Sequence, residues 1–363
     1  MRLGVEAALV DGCLVRGDVE IADGRVSGYG LASSNGRGVA VPGFVDLQVN
    51  GFCGVDFFEA DAEGYRRAGE ALLETGVTAY LPTFVTAPEE QLLAALREVP
   101  VSADGPRILG VHLEGPFLSP LRLGIHPAAA RRAPDVELLE RLLAAGPVRL
   151  MTLAPELPGA DALVETLLRH EIAISCGHSD ATAAEANAAF DAGVRTVTHL
   201  FNAMRPFGHR DPGVAGAALA RDDVVVQVIL DGVHLAPETA TVVWRAAAGR
   251  VALVTDAIAG AGLTDGAHRL NGLAIEIRDG VARGPSGALA GSTLTMIEAV
   301  RNLHALGAPL VDAVGAATEV PARVLRQPAV GRLEVGIPAD VVVLTDELEI
   351  DRVLVDGRER VVS

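Results

Sequence analysis

The sequence predicts an α/β protein: a (β/α)8 TIM-like barrel with a small β-sandwich domain formed by both termini. Three observations carry that prediction. Strand-like apolar runs alternate with helical patterns through the middle of the chain. Polar residues able to bind a metal or move a proton stand at the carboxyl ends of those runs, the edge where reactive groups gather in parallel barrels. The two ends of the chain share a different texture, short alternating runs broken by turn dipeptides.

Taken in order, residues 1 to 40 carry Asp11-Gly12 and Asp23-Gly24, dipeptides that favour two-residue hairpins. The C-terminal end repeats the pattern in Ala339–Leu344 and Val353–Gly357. Neither end has enough apolar surface to fold alone, so the two are expected to pair. The expected division is 1–40 and 331–363 for the β-sandwich and 41–330 for the barrel.

Within 41–330 the candidate strands are Gly43–Asn50, Thr78–Phe84, Ile108–Glu114, Arg149–Ala154, Ile172–Cys176, Thr196–His199, Val224–Leu230 and Val251–Thr255. Helical patterns fall between most of them, over Gly64–Glu74, Glu89–Arg97, Val136–Ala144, Asp161–Leu168 and Asp180–Ala192. The last of these has Asp180 or Thr182 as N-cap and Gly193 as its stop. Eight strands in this rhythm point to a closed parallel barrel rather than an open sheet. A Gly-rich segment from Thr255 to Gly291, with another hairpin signal at Asp279-Gly280, reads as a loop or β excursion over the barrel mouth. A helix from Ser292 to about Leu306, capped by Ser292 or Thr293, closes the barrel.

Composition narrows the function classes. The formal net charge of -17 opposes a nucleic-acid or anionic-membrane surface but not a small anionic substrate held by local cations. Cys13, Cys53 and Cys176 lack C-x-x-C spacing, which suggests neither a disulfide framework nor a thiolate zinc site and fits a reducing cytoplasm. Glu6 and Asp11 interrupt any signal-like apolar core, and no apolar run approaches the roughly 18 residues of a spanning helix.

The strand ends read Gln48 and Asn50, Glu114, His178, His199, Asp231 with His234, and Asp256. A carboxylate inside an apolar strand is costly unless paired or ligating a cation. Glu114, with His178 and His199, supplies the His2Glu shell of a catalytic zinc with its fourth position open. His112, on the same side of its strand as Glu114, is outer support or core. Asp256 is the candidate general base for a water activated at the metal. Gln48 and Asn50 share one face, and their amides are poor zinc ligands, so they read as substrate contacts or packing.

These residues sit in motifs that resemble the amidohydrolase superfamily, and within it the deacetylases of amino-sugar 6-phosphates. The motifs are Pro42-Gly-Phe-Val-Asp-Leu-Gln-Val-Asn-Gly51, His112-Leu-Glu-Gly-Pro-Phe117, Gly177-His-Ser179, Thr198-His-Leu-Phe-Asn-Ala-Met204, Asp231-Gly-Val-His234, Val254-Thr-Asp-Ala257 and Leu289-Ala-Gly-Ser292. The tail from Gly331 to Asp340 resembles the superfamily's return into its β domain. The resemblance covers nearly the whole chain.

It implies hydrolysis of the acetamide of N-acetyl-D-glucosamine 6-phosphate, with metal ligands at Glu114, His178 and His199, an acid/base at Asp256, and His126 polarising the amide carbonyl. Substrate contacts are implied at Ile125, His126, Asn202, Ala203, Arg210, His234, Leu289, Ala290 and Gly291, with Gln48 beside them. Arg210 and His234 are the phosphate partners, and the family's habit of completing that grip across a dimer interface implies a homodimer. Without the resemblance, His126 and Arg210 read as surface-loop residues. Gln48-Val-Asn50 stands where many superfamily members carry His-x-His, which implies one divalent ion per subunit, zinc, rather than two. The alternatives are another N-acyl substrate such as N-acetylgalactosamine 6-phosphate, or a non-catalytic relative that kept the scaffold for protein association.

Overall fold

The computed structural model describes residues 1–32, 36–100 and 105–360. The expected β-sandwich segments 1–40 and 331–363 therefore include positions, 33–35 and 361–363, that lie outside the described residues.

Eight parallel strands form the barrel: Phe44–Val49, Val77–Val85, Val111–Glu114, Val148–Leu153, Ala173–Cys176, Thr196–Val197, Val225–Val228 and Val251–Leu253. Each pairs with the next. They read as continuous apolar runs because both faces are covered. All nine residues of Val77–Val85 are buried, the inner face by the barrel and the outer by helices. The helices between strands are amphipathic; Ala160–Arg169, for instance, buries Leu163, Val164 and Leu167 and turns its charges outward.

Four expected boundaries shift, each for a local reason. The run Ile108–Glu114 is two pieces, Arg107–Ile108 and Val111–Glu114, because Gly110 turns out of the strand at φ 135. A side chain there would strike Arg149 at 2.2 Å. The run Thr196–His199 ends as a strand at Val197, since His199 takes φ 28. The helix expected from Asp180 starts at Ala183, capped by Thr182 in a reciprocal box with Glu185, while the Asp180 carboxylate binds Arg122 and Arg205 instead. The helix expected from Ser292 is Met296–Ala305. Thr295 caps it through Glu298, because Thr293 Oγ1 is committed to Gly280 O and Ser292 Oγ to Thr255 O.

Both ends of the chain meet in one six-stranded sheet, in the order Cys13–Arg16, Ala7–Val10, Val39–Pro42, Val341–Leu344, Ile350–Val355, Arg358–Arg360. Val39–Pro42 pairs antiparallel with Val341–Leu344, joining the two termini. A second hairpin, Asp18–Ala22 with Arg25–Leu31, faces it across an apolar cluster that includes Val5, Val19, Val26, Leu333 and Val343. The excursion after the last barrel strand is a three-stranded sheet, Gly266–Leu270, Leu273–Arg278 and Val281–Arg283. Its apolar face packs on Ile258 and Ala290, and Ile125 packs against the same cluster. Among the described residues, no helix is long and apolar enough to cross a membrane.

The barrel seam closes between its last and first strands. Asp256 N–H donates to Gln48 O at 2.9 Å, Asn50 N–H donates to Ala257 O at 2.8 Å, and Val49 bridges Ala257 in parallel. A buried carboxylate staples this seam. Asp46 accepts from Thr255 Oγ1 at 2.6 Å and from the backbone N–H of Gln48 and Thr255 at 3.1 and 3.3 Å. Burial outweighs these bonds and pushes its pKa up to about 7.

The folded state thus holds a proton that the unfolded chain releases near pH ~4. The stability that this proton confers is full below that pH and lost as pH rises through about 7. Asp46→Asn removes the titration. The thermal midpoint of Asp46→Asn relative to the native protein should therefore rise between pH 4 and pH 8. A gap that stays constant over that range shows that Asp46 does not titrate there.

Candidate active site

The third, fifth and sixth barrel strands each deliver one side chain to a common point above the barrel. Glu114 ends its strand directly; His178 and His199 lie just past theirs, in positive-φ conformations of 47° and 28°. Such conformations are rare for residues with a Cβ and concentrate at functional sites. His178 Nε2 lies 3.0 Å and His199 Nε2 2.9 Å from the same oxygen, Glu114 Oε1, and the two nitrogens are 3.2 Å apart. One ligand atom from each residue falls within 4.8 Å of the others, and all three residues are buried.

The chemistry of these donors fits a cation. His178 Nδ1–H donates to Arg122 O at 2.9 Å, and burial, followed by the neighbouring His126, holds the ring's pKa down at about 4. A neutral ring with its proton on Nδ1 presents a lone pair at Nε2. That lone pair faces a carboxylate oxygen and a second imidazole, so a positive charge is required among them. Burial would raise the Glu114 pKa, but the imidazoles of His126, His178 and His199 hold it well below the usual carboxylate range. Burial also opposes charge on His199, yet Glu114 and Asp256 leave its pKa above the ordinary value. Two nitrogens and one carboxylate oxygen form a donor set suited to zinc with a position left open.

Asp256 follows the last strand at φ 51 and lines the cavity at the barrel mouth. Gln48 Nε2 and Asn50 Nδ2 both donate to its Oδ1, at 3.0 and 2.7 Å. Among the described residues no group donates to Oδ2. Burial and then the charge of Glu114 push the Asp256 pKa up to about 6. Gly291 is required beside it: at φ 62 a side chain there would meet Asp256 O at 2.6 Å.

His126 lines the same cavity. Thr86 N–H donates to its Nδ1 at 3.2 Å, so the ring proton sits on Nε2, 3.6 Å from Glu114 Oε2 and facing the site. Thr86 is therefore what makes His126 a donor toward the site. No local sequence signal marks it, because its partner lies 40 residues away. Arg122 was likewise unmarked, as it acts through its backbone carbonyl.

These groups line a cavity of about 280 Å³ with Asn50, Gly124, Ile125, Asn202, Ala203, His234, Leu289 and Gly291. His234 Nδ1–H donates to Asp231 Oδ2 at 2.7 Å, which leaves its other edge toward the cavity. Three expected substrate residues lie off this wall. Gln48 is buried behind Asp256, with Asn50 taking the wall position. Ala290 is buried in the cluster under the excursion sheet. Arg210 is exposed on the loop after His199. His112 is buried, and its ring bonds Leu47 O and Thr152 rather than any of the three converging side chains. A larger cavity, about 840 Å³, lies between the terminal sheet and residues Gly105–Leu109 and contains none of this chemistry.

The family model described as the amidohydrolase family matches residues 39–360. The chain is 37% identical over 326 residues to the N-acetylglucosamine-6-phosphate deacetylase of Vibrio furnissii, covering 88% of this chain and 82% of that one. It is 35% identical over 325 residues to the N-acetylgalactosamine-6-phosphate deacetylase of Escherichia coli, covering 87% of this chain and 86% of that one. Its fold superposes with a TM-score of 0.94 on a variant N-acetyl-D-glucosamine-6-phosphate deacetylase from Mycobacterium smegmatis solved in complex with N-acetyl-D-glucosamine-6-phosphate. The two are 38% identical, and the match covers 99% of each chain. The convergence of Glu114, His178 and His199 at the mouth of this barrel thus has its family: the chain belongs to the amidohydrolases.

Proposed function

We propose that the chain is a metal-dependent deacetylase that hydrolyses N-acetyl-D-glucosamine 6-phosphate to D-glucosamine 6-phosphate and acetate. The observation that carries this reading is a single cavity wall bearing an acidic-histidine triad, a carboxylate of raised pKa and a histidine with its proton aimed inward. The relatives that match nearly the whole chain act on this class of sugar phosphate.

Glu114, His178 and His199 would hold one divalent ion per subunit, and their nitrogen and carboxylate donors favour zinc. When bound, the ion would supply Lewis acidity that lowers the pKa of a water. Gln48 and Asn50 turn their NH2 groups onto Asp256, an orientation that supports their reading as braces for the base rather than ligands of a second ion. Asp256 Oδ2 takes the proton of the attacking water as its oxygen bonds to the acetamide carbon. His126 Nε2–H donates to the oxygen that gains charge in that step, a contact that is strongest in the transition state. Asp256 then returns the proton to the nitrogen as the C–N bond breaks, releasing the amine and acetic acid, which loses its proton to the amine or solvent as acetate. A pKa near 6 suits a group that must accept and give a proton close to neutral pH.

Asn202, Ala203, Ile125, Leu289 and Gly291 shape the sugar pocket, with Ala290 and Gln48 behind the wall. His234 and Arg210 are the phosphate partners. Arg210 is exposed and lies outside the cavity of its own subunit, which supports a role in the neighbouring site of a homodimer. Phe207 and Val233, exposed beside Arg210 and His234 in sequence, are consistent with a covered surface there. The same reading takes 1–40 and 331–363 as one domain and 41–330 as the other. It places the enzyme in the cytoplasm, with neither nucleic acid nor membrane as partner. The Escherichia coli relative favours a second reading in which the substrate is the galacto epimer.

Asp256→Asn should lower kcat by about 10²- to 10⁴-fold while leaving metal content and folding intact. A variant with near-native kcat removes Asp256 from the chemistry. Acetate release measured on N-acetylglucosamine 6-phosphate, its galacto epimer and the unphosphorylated sugar should rank the gluco phosphate first in kcat/KM. Galacto first establishes the second reading. Arg210→Ala should lower kcat/KM for phosphorylated substrates alone; an equal loss on the unphosphorylated sugar excludes the phosphate role.

A further inference from the structure

One layer below the triad, the barrel interior is polar rather than filled with branched apolar side chains. His112, Thr152, Ser175, Thr196, Thr198 and Gln227 are each 0% exposed and form a continuous row. His112 Nδ1 lies 3.1 Å from Leu47 O, and its Nε2 lies 2.7 Å from Thr152 Oγ1. Thr152 Oγ1 is 2.7 Å from Thr198 Oγ1, which is 2.5 Å from Ser175 Oγ. Gln227 Nε2 closes the row at 3.1 Å from Thr196 Oγ1 and 3.5 Å from Ser175 Oγ.

Donor and acceptor chemistry allows this row only one direction. Leu47 O can only accept, so His112 carries its proton on Nδ1, and the neutral ring accepts at Nε2. Thr152 must then donate to His112, Thr198 to Thr152, and Ser175 to Thr198. Ser175 is left as an acceptor, which turns the Gln227 amide so that its NH2 faces the hydroxyls. Each end is closed, by a carbonyl at one and a carboxamide at the other. A row that neither receives nor releases a proton is no relay; it holds geometry.

Thr198 is its pivot. It directly precedes His199, whose φ of 28° needs an anchor on the strand side. It also packs on Gly177, where a side chain would meet Thr198 Cβ at 2.9 Å, and Gly177 directly precedes His178. His112 stands two residues before Glu114 on the same face of its strand. Each member of the triad is thus tied by the backbone to this layer.

We propose that the buried row through His112, Thr152, Thr198, Ser175 and Gln227 is a positioning device that sets the spacing of Glu114, His178 and His199 for their metal ion. The inference rests on the metal-site reading above. Its test uses the full chain stripped of metal and titrated with Zn2+ against a chromophoric chelator. Thr198→Val keeps the shape and breaks the row; Thr198→Ser keeps the hydroxyl.

The Zn2+ dissociation constant should rise about tenfold or more in Thr198→Val, as when supports of metal ligands are lost, and stay near native in Thr198→Ser. Thr152→Val, which breaks the next link, should behave like Thr198→Val. Native Zn2+ affinity in both valine variants overturns the inference even if their thermal midpoints fall, and so does a serine variant as weak as Thr198→Val. Valine variants that do not fold show the row serving the whole barrel rather than the site, which also overturns it. A native protein that takes up no Zn2+ overturns the metal-site reading itself.

Discussion

The structure depends on one electrostatic constraint: a carboxylate almost wholly buried at the base of the barrel-mouth cavity. Glu114 sits at the end of an all-buried strand, and an isolated charge there would be neutralised by protonation rather than tolerated. Instead His126, His178 and His199 surround it and hold it ionised. Two of those rings approach the same oxygen with their Nε2 atoms, and His178, its own proton committed to Arg122 O, approaches it with a lone pair. Two ring nitrogens and a carboxylate oxygen gathered this closely form a donor set suited to a cation.

The barrel meets this demand through backbone geometry more than through contacts among loops. Three strand ends converge on one point because parallel strands in a closed barrel all present their carboxyl edges to the same face. The departures from ideal geometry cluster there too, with His178, His199 and Asp256 all at positive φ. The seam between the last and first strands places Asp256 against Gln48 and Asn50, so its carboxylate is braced by the barrel strand farthest from it in sequence. Asp46 holds that seam from below through Thr255. The site and the closure of the barrel are therefore the same set of interactions seen from two sides.

Proton placement divides the labour between the two groups that flank the triad. Thr86 N–H occupies one nitrogen of His126 and leaves the other as a donor. Gln48 and Asn50 occupy one oxygen of Asp256 and leave the other free to accept. A donor and an acceptor thus line one cavity, together with Gly124, Ala203, Leu289 and Gly291 among others.

The fold class, the β-rich pairing of the two ends and the positions of Glu114, His178, His199 and Asp256 were legible in the chain itself. Each rests on local periodicity or on a polar residue ending an apolar run. The hairpin dipeptides at residues 11, 23 and 279 also form the turns expected of them, because two-residue loops are governed by the φ preferences of the residues within them. Tertiary structure alone decided the rest. That Gln48 lies behind Asp256 and Asn50 on the wall depends on how the seam closes. That His126 faces inward depends on Thr86, and the tautomer of His178 on a backbone carbonyl in another loop. That Ser292 and Thr293 leave the cap of the closing helix to Thr295 depends on which distant carbonyls they reach first. Periodicity reports which face of an element is buried; it carries no information about which partner, dozens or hundreds of residues away, will meet it there.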